Sequence, residues 1–225
     1  MKAKKLGVLF SGGKDSTLAA WIAKKEGYKL CCLISILSEN PDSYMFHTPD
    51  IKQTKKQALA MNLPIIEQPT KGKKEDELKD LRESLIQARN LYKIEGIVTG
   101  AVESVYQSTR IRKLCYELKL ECFNPLWLRN QIRLLEDLLE NEFKAIIVGV
   151  AAFPLGKEWL GREINRKTIE ELKTLQNKYK INPSGEGGEF ETLVLDCPLF
   201  KKPLRIKDKQ ISGEKNSWRM EVELE

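Results

Sequence analysis

Histidine is almost missing from this chain: His47 stands alone among 225 residues. A metal site built from several imidazoles is therefore excluded. Cysteine is sparse and badly spaced for pairing. Cys31, Cys32, Cys115, Cys122 and Cys197 form no C-x-x-C pair and leave an odd thiol. That argues against a zinc ribbon or a disulfide framework, fits a reducing compartment, and leaves most of them as small core residues. No apolar run approaches the roughly 18 residues that would span a bilayer, and 31% of the residues are charged. The opening MKAKKLGVLF has the charge of a secretory leader, but its apolar part, Leu6 to Phe10, is short and no small-residue cleavage site follows. A soluble, cytoplasmic protein with no membrane contact is expected. There is no internal repeat and no low-complexity tract. The net charge of +6 is mild, and the basic residues are scattered among acids. A solvated mixed surface is favoured over a nucleic-acid-binding stripe.

What is present is enough apolar residue, 41%, to bury a real core. Strand-like runs alternate with helix-like runs through residues 1 to 124. Leu6 to Phe10 reads as a strand, Asp15 to Lys25 as a helix with Gly27 beyond its C-terminus, and Leu30 to Leu37 as a strand. Thr48 and Pro49 open a helix that runs to about Asn62, and Pro64 to Glu67 is a short strand. Lys73 to Tyr92 carries leucines at helical spacing; Gly96 to Gly100, Gln107 to Leu118 and Glu121 to Asn124 read as strand, helix and strand. Strands joined by helical crossovers predict an α/β fold with a parallel sheet covered on both faces. Pro125 interrupts the pattern. Helices at Asn130 to Asn141 and Arg162 to Lys178, and strands at Lys144 to Val150, Thr192 to Asp196, Leu204 to Ile206 and Arg219 to Leu224, predict a smaller mixed α/β domain over 125–225.

The first strand runs into SGGKDS, Ser11 to Ser16. It is not a Walker A loop: Val8 stands where the first glycine belongs, and Asp15 where the magnesium-binding hydroxyl belongs. The physics of an anion site remains. Gly12 and Gly13 let backbone amides approach a phosphate, and the following helix aims its unpaired N–H groups at the same place. Ser11 and Ser16 add hydroxyls, and Lys14 adds charge. Asp15 repels a bare phosphate, so its presence makes sense when Mg²⁺ lies between them.

SGGKDS matches the S-G-G-x-D-S signature of the N-type ATP pyrophosphatases, which have the Rossmann-like adenine nucleotide α-hydrolase fold; the resemblance covers about residues 4 to 105. TGAVESVYQSTRIRKLCYELKLECFNPLW (Thr99 to Trp127) and SGEGGEFETLVLDCPLF (Ser184 to Phe200) closely resemble the diphthine–ammonia ligase family within that superfamily. The resemblance implies ATP-dependent amidation of diphthine on translation elongation factor 2 with ammonia, through an acyl-adenylate, giving diphthamide, AMP and pyrophosphate. It implies that Ser11, Gly12, Gly13, Lys14, Asp15 and Ser16 hold the phosphates, with Mg²⁺ at Asp15. Leu33, Ile34 and Ser35, Met45, Phe46 and His47, and Thr99, Gly100 and Ala101 are expected around the nucleotide. Glu103, Tyr106, Gln107, Arg110, Trp127, Gly187, Gly188, Glu189, Glu191 and Thr192 are expected on the substrate side. Lys14, Asp15, Arg110, Glu186 and Glu189 are the expected catalytic set.

For chemistry, Arg110 can grip the diphthine carboxylate or the α-phosphate through two N–H groups. Glu186, Glu189 or Glu191 can meet the trimethylammonium group, with Trp127 as an aromatic wall, or accept a proton from ammonium; each can instead order the loop. Two departures from the family pattern stand out. KINPSGEGG has Asn182, Pro183 and Ser184 where relatives often carry histidine or cysteine, and Arg112 stands where they often carry an acid. No glutaminase signature is present, so free ammonia is the expected nitrogen source. Two other readings compete: a tRNA-modifying thiolase, should Cys115, Cys122 and Cys197 converge, and a non-catalytic ATP- or AMP-sensing module. Oligomerisation is compatible with the sequence and is not specified by it.

Overall fold

The computed structural model describes residues 3–38, 53–72 and 74–225. Met45, Phe46 and His47, and the expected helix start at Thr48, lie outside the described residues. Five strands form a parallel sheet: β1 (Lys5–Leu9), β2 (Lys29–Ser38), β3 (Ile65–Thr70), β4 (Gly96–Val98) and β5 (Glu121–Phe123), in the order β3-β2-β1-β4-β5. The crossovers are α1 (Lys14–Lys25), α2 (Thr54–Met61), α3 (Lys74–Tyr92) and α4 (Val105–Leu118). Alternation along β2 shows how the sheet is covered. Leu33 faces one core with Leu18, Ala19, Ala23 and Ala58 of α1 and α2, whereas Cys32, Ile34 and Ile36 face another with Leu81 and Leu85 of α3 and Ile111 of α4.

A second, antiparallel sheet follows, ordered β7-β6-β9-β8. Its strands are β6 (Lys144–Val150), β7 (Phe190–Asp196), β8 (Ile206–Glu214) and β9 (Ser217–Leu224), with α5 (Gln131–Glu140) and α6 (Arg166–Tyr179) beside it. Ala145 and Ile147 of β6 and Val194 of β7 join Leu134 and Leu138 of α5 in the same core that holds Leu6, Val8 and α1. The first sheet's α1 face and the second sheet therefore share one apolar interior.

Three sequence expectations are revised. β3 continues through Pro69 to Thr70 because it is an edge strand, where a missing N–H breaks no ladder. Arg162 to Ile164 are not helical: the Arg162 carbonyl accepts from Ile147 N–H and Ile164 N–H donates to Ala145, and α6 starts after Asn165, whose side chain accepts from Thr168 N–H. The short strand expected at Leu204 to Ile206 is instead the nine-residue β8, all of it exposed. It has no apolar alternation to announce it and is set by pairing with β9, whose Met220, Val222 and Leu224 are buried.

Candidate functional site

In a parallel sheet the ligand crevice opens where neighbouring crossovers leave in opposite directions. Here that point lies between β1 and β4, flanked by β2 and β5. The Ser11–Ser16 loop leaves β1 at that point. Gly12 adopts φ +81°, open to glycine and strained for other residues. Gly13 is the N-cap of α1, and its carbonyl accepts from the N–H (3.2 Å) and the hydroxyl (2.8 Å) of Thr17. The Ser11 and Ser16 hydroxyls lie 3.2 Å apart, and Gly13 N–H reaches the Ser11 hydroxyl at 3.4 Å. Gly100, expected to admit a ligand, also has a packing use. A Cβ there would sit 2.7 Å from the Asp15 carbonyl carbon and the Ser16 nitrogen, so its bareness lets the end of β4 pack against the first turn of α1.

Lys14 is buried, at 3% exposure. Its ammonium lies 2.7 Å from Asp15 Oδ2 and 4.0 Å from Glu186 Oε1, and 5.8 Å from the Phe190 ring centroid. Burial, then the facing Asp15 carboxylate, push the Glu186 carboxyl up to about 7 against the pull of Lys14; Glu103 and Glu189 add to the push. So residues far apart in sequence, Lys14 and Asp15 on α1 and Glu186 in the glycine-rich segment, meet in one electrostatic cluster.

Other expected residues turn out to be occupied by the protein itself. Thr192 Oγ1 accepts from Lys14 N–H at 3.1 Å, so this hydroxyl of β7 caps α1 from across the molecule. Glu189 accepts from Asn182 N–H (2.7 Å) and Gly187 N–H (2.9 Å), which makes it the residue that orders the glycine-rich loop. Gly188 gives that loop its φ of +83°. Glu191 lies partly buried on β7. The Leu33 and Ile34 side chains are core, and the Ser35 hydroxyl is spent on the Phe10 carbonyl at 2.7 Å, so these positions offer a nucleotide only backbone. Thr99 and Ala101 are buried beside Gly100.

Glu103 is exposed and accepts from Gln131 Nε2 at 2.9 Å, while Gln131 Oε1 accepts from the Ser184 hydroxyl at 3.0 Å. This bridge ties α4's approach to the glycine-rich segment. Gln107 lies in the first turn of α4, its N–H held by the Ser104 cap. Arg110 lies over the Tyr106 ring, 3.4 Å from its centroid, a contact through the π face that uses none of its five N–H donors. The Trp127 ring has Arg112 at 5.9 Å, so a cation of the protein already lies near this expected aromatic wall.

The cysteines do not converge. Cys115 and Cys122 touch in the α3–α4 core, and Cys197 sits in the other core. Burial pushes Cys32 and Cys197 up to about 12; the Cys115–Cys122 hydrogen bond raises the first thiol and lowers the second. Among the described residues no group of three or more His, Cys, Asp or Glu side chains is arranged to hold a metal.

Sequence reading missed Gln57. This residue of α2 is fully buried, and its amide donates to the Gly12 carbonyl (2.9 Å) and the Val194 carbonyl (2.8 Å). A signal existed: Gln57 lies between Thr54, Ala58 and Met61 on the buried stripe of its helix, where a polar side chain needs a partner.

Fold and loop define a class: an α/β protein with a glycine-containing strand-to-helix loop at the switch point of a parallel sheet, braced by an antiparallel sheet. Comparison with known proteins gives the particular family. The profile of the diphthamide synthase N-terminal domain matches residues 4–122 and that of its C-terminal domain residues 130–223. The bovine diphthine–ammonia ligase is 33% identical over 92% of this chain and 84% of its own length, and the human one 32% over 92% and 84%. The enzyme of that name from Schizosaccharomyces pombe is 34% identical over 92% of this chain, which spans 37% of its length. The solved structure of a predicted subunit of tRNA methyltransferase from Methanocaldococcus jannaschii is similar over 89% of this chain and 99% of its own, at 20% identity and a TM-score of 0.45. The chain belongs to the diphthamide synthase family.

Proposed function

We propose that this chain carries out the reaction that names its family's enzymes: ATP-dependent amidation of diphthine, borne by translation elongation factor 2, with ammonia. A carboxylate is a poor electrophile, so an oxygen of it attacks the α-phosphorus of ATP. The bond from that phosphorus to the bridging oxygen of the β-phosphate breaks, and pyrophosphate leaves. Ammonia then attacks the acyl carbon, AMP departs with the former carboxylate oxygen, and the nitrogen loses a proton. Catalysis in such a sequence is mostly positioning and neutralisation of charge.

The observation that carries the reading is the buried Lys14 ammonium at the N-terminus of α1, paired with Asp15 and close to Glu186. In this reading Lys14 and the N–H groups of the first turn of α1 receive the pyrophosphate charge. Asp15 fits Mg²⁺: its Oδ1 is buried with no hydrogen-bond partner, and a magnesium ion characteristically takes one or two carboxylates with substrate phosphates. When bound, such an ion neutralises the phosphate oxygens. Arg110 holds the diphthine carboxylate or the α-phosphate with N–H groups that its stacking on Tyr106 leaves uncommitted. Glu186, titrating at about 7, takes the proton released by the attacking nitrogen. Glu189 acts through the loop, and the acidic surroundings of Glu186 suit the trimethylammonium group. Among the described residues no helix is long and apolar enough to cross a membrane.

The test is mass spectrometry of diphthine-bearing elongation factor 2 incubated with the protein, ATP, Mg²⁺ and ammonium. Conversion of the carboxylate to the amide, about 1 Da lighter from the replacement of OH by NH₂, is the expected result. An unchanged mass with every component present contradicts the reading.

A further inference from the structure

The Gly12–Gly13 peptide joins two residues without side chains, so sterics do little to fix which way it faces. Its direction matters. In a planar trans peptide the carbonyl of one residue and the N–H of the next point opposite ways. One orientation shows an anion the Gly13 N–H; the flipped one shows it the Gly12 carbonyl oxygen, which repels it.

The structure holds one orientation with two donors. The Gly12 carbonyl accepts from Val194 N–H of β7 at 3.0 Å and from Gln57 Nε2 at 2.9 Å. The second hydrogen of the same amide goes to the Val194 carbonyl at 2.8 Å. Rotating the Gln57 amide by half a turn would set its oxygen against two carbonyl oxygens, so the pairing fixes the amide's own orientation as well. With the Gly12 carbonyl turned toward α2 and β7, Gly13 N–H turns to the other side, where it reaches the Ser11 hydroxyl. That side carries the hydroxyls of Ser11 and Ser16. Gly12 itself cannot gain a side chain while Gln57 is there: a Cβ would lie 2.4 Å from Gln57 Oε1.

We propose that Gln57 is a positioning residue that locks the Gly12–Gly13 peptide with its N–H toward the phosphates, and so sets the affinity for the pyrophosphate end of the nucleotide. The proposal rests on the reading of this loop as the pyrophosphate cradle. It also makes the cradle a joint product of α2, the loop and β7, because one amide clamps all three.

The experiment is calorimetric titration of the full chain with inorganic pyrophosphate, ATP and AMP, comparing wild type with Gln57→Met, of similar volume without donors, and Gln57→Asn, too short to span both carbonyls. The expected result is pyrophosphate and ATP binding weakened about tenfold in both variants, the worth of one lost hydrogen bond, with AMP binding changed by less than about twofold. Equal losses for AMP and pyrophosphate would reduce Gln57 to a support of the fold and overturn the proposal. So would unchanged pyrophosphate binding in either variant. Where Gln57→Met fails to fold, Gln57→Asn decides. Wild-type protein that binds neither pyrophosphate nor ATP overturns the cradle reading itself, a different outcome from a selective Gln57 effect.

Discussion

Two glycine-rich segments meet at Lys14, and they are held differently. The Ser11–Ser16 loop is braced from outside, by Gln57 of α2 and by Val194 and Thr192 of β7. The segment from Asn182 to Glu191 has a brace of its own, the Glu189 carboxylate on the N–H groups of Asn182 and Gly187, besides its tie to Gln131 of α5. The difference teaches that the SGGKDS loop draws its supports from elements distant in sequence. Its backbone is held in part by a sheet built from the far end of the chain. The acidic loop carries a clamp of its own, which holds Gly187 next to Glu186.

The comparison can be broken by substitutions, beginning with the most severe. Lys14→Ala removes the cation both segments share and leaves Asp15 facing Glu186 unneutralised. AMP release should fall roughly a hundredfold to a thousandfold, the range for losing one charge-stabilising donor, with the folded circular dichroism spectrum retained. Glu189→Ala strips the clamp from the acidic loop and leaves two N–H groups without their acceptor. We expect an increase of about tenfold in KM for the elongation factor, with ATP affinity unchanged by calorimetry. Loss of ATP affinity instead would show that the two segments are not held independently. Thr192→Val is the converse, since it uncaps Lys14 N–H and leaves the acidic loop alone. ATP binding should weaken by about 1 kcal/mol, roughly fivefold, while KM for the elongation factor holds.

A last effect concerns protons and is read on stability, not on turnover. The folded chain keeps the Glu186 proton to about pH 7, and the unfolded chain releases it near 4.5. Between those values the native state binds more protons, so this group lowers stability as pH rises through the window. Glu186→Gln should flatten that slope in denaturant titrations run from about pH 4.5 to about 7.5. An unaltered slope would mean that the carboxyl is not held in the low-dielectric setting that burial gives it.

Much of this was legible in the residues. The apolar runs at β1, β2 and β4, and the strand-to-helix junction that carries SGGKDS, could be read because those features are local. The resemblance of Thr99 to Trp127 and Ser184 to Phe200 supplied the family. What stayed hidden is non-local. Nothing near Thr192 says that its hydroxyl caps a helix 178 residues earlier, and nothing near Glu189 separates a substrate carboxylate from a loop clamp. Gln57 showed only as a polar residue on an apolar stripe. β8 could not be read because both its faces are exposed and its partner strand alone defines it. Gly100 was read for a ligand, and its bareness also lets the first turn of α1 pack close, which nothing local announces.

The account stands on the loop after β1 taking the outer two phosphates of ATP while the adenylyl group moves to a carboxylate oxygen. Phosphorus NMR of a reaction containing the protein, ATP, Mg²⁺, ammonium and diphthine-bearing elongation factor 2 tests this most directly. AMP and pyrophosphate should accumulate together, one of each for every amide formed. ADP with orthophosphate would contradict the account at its root.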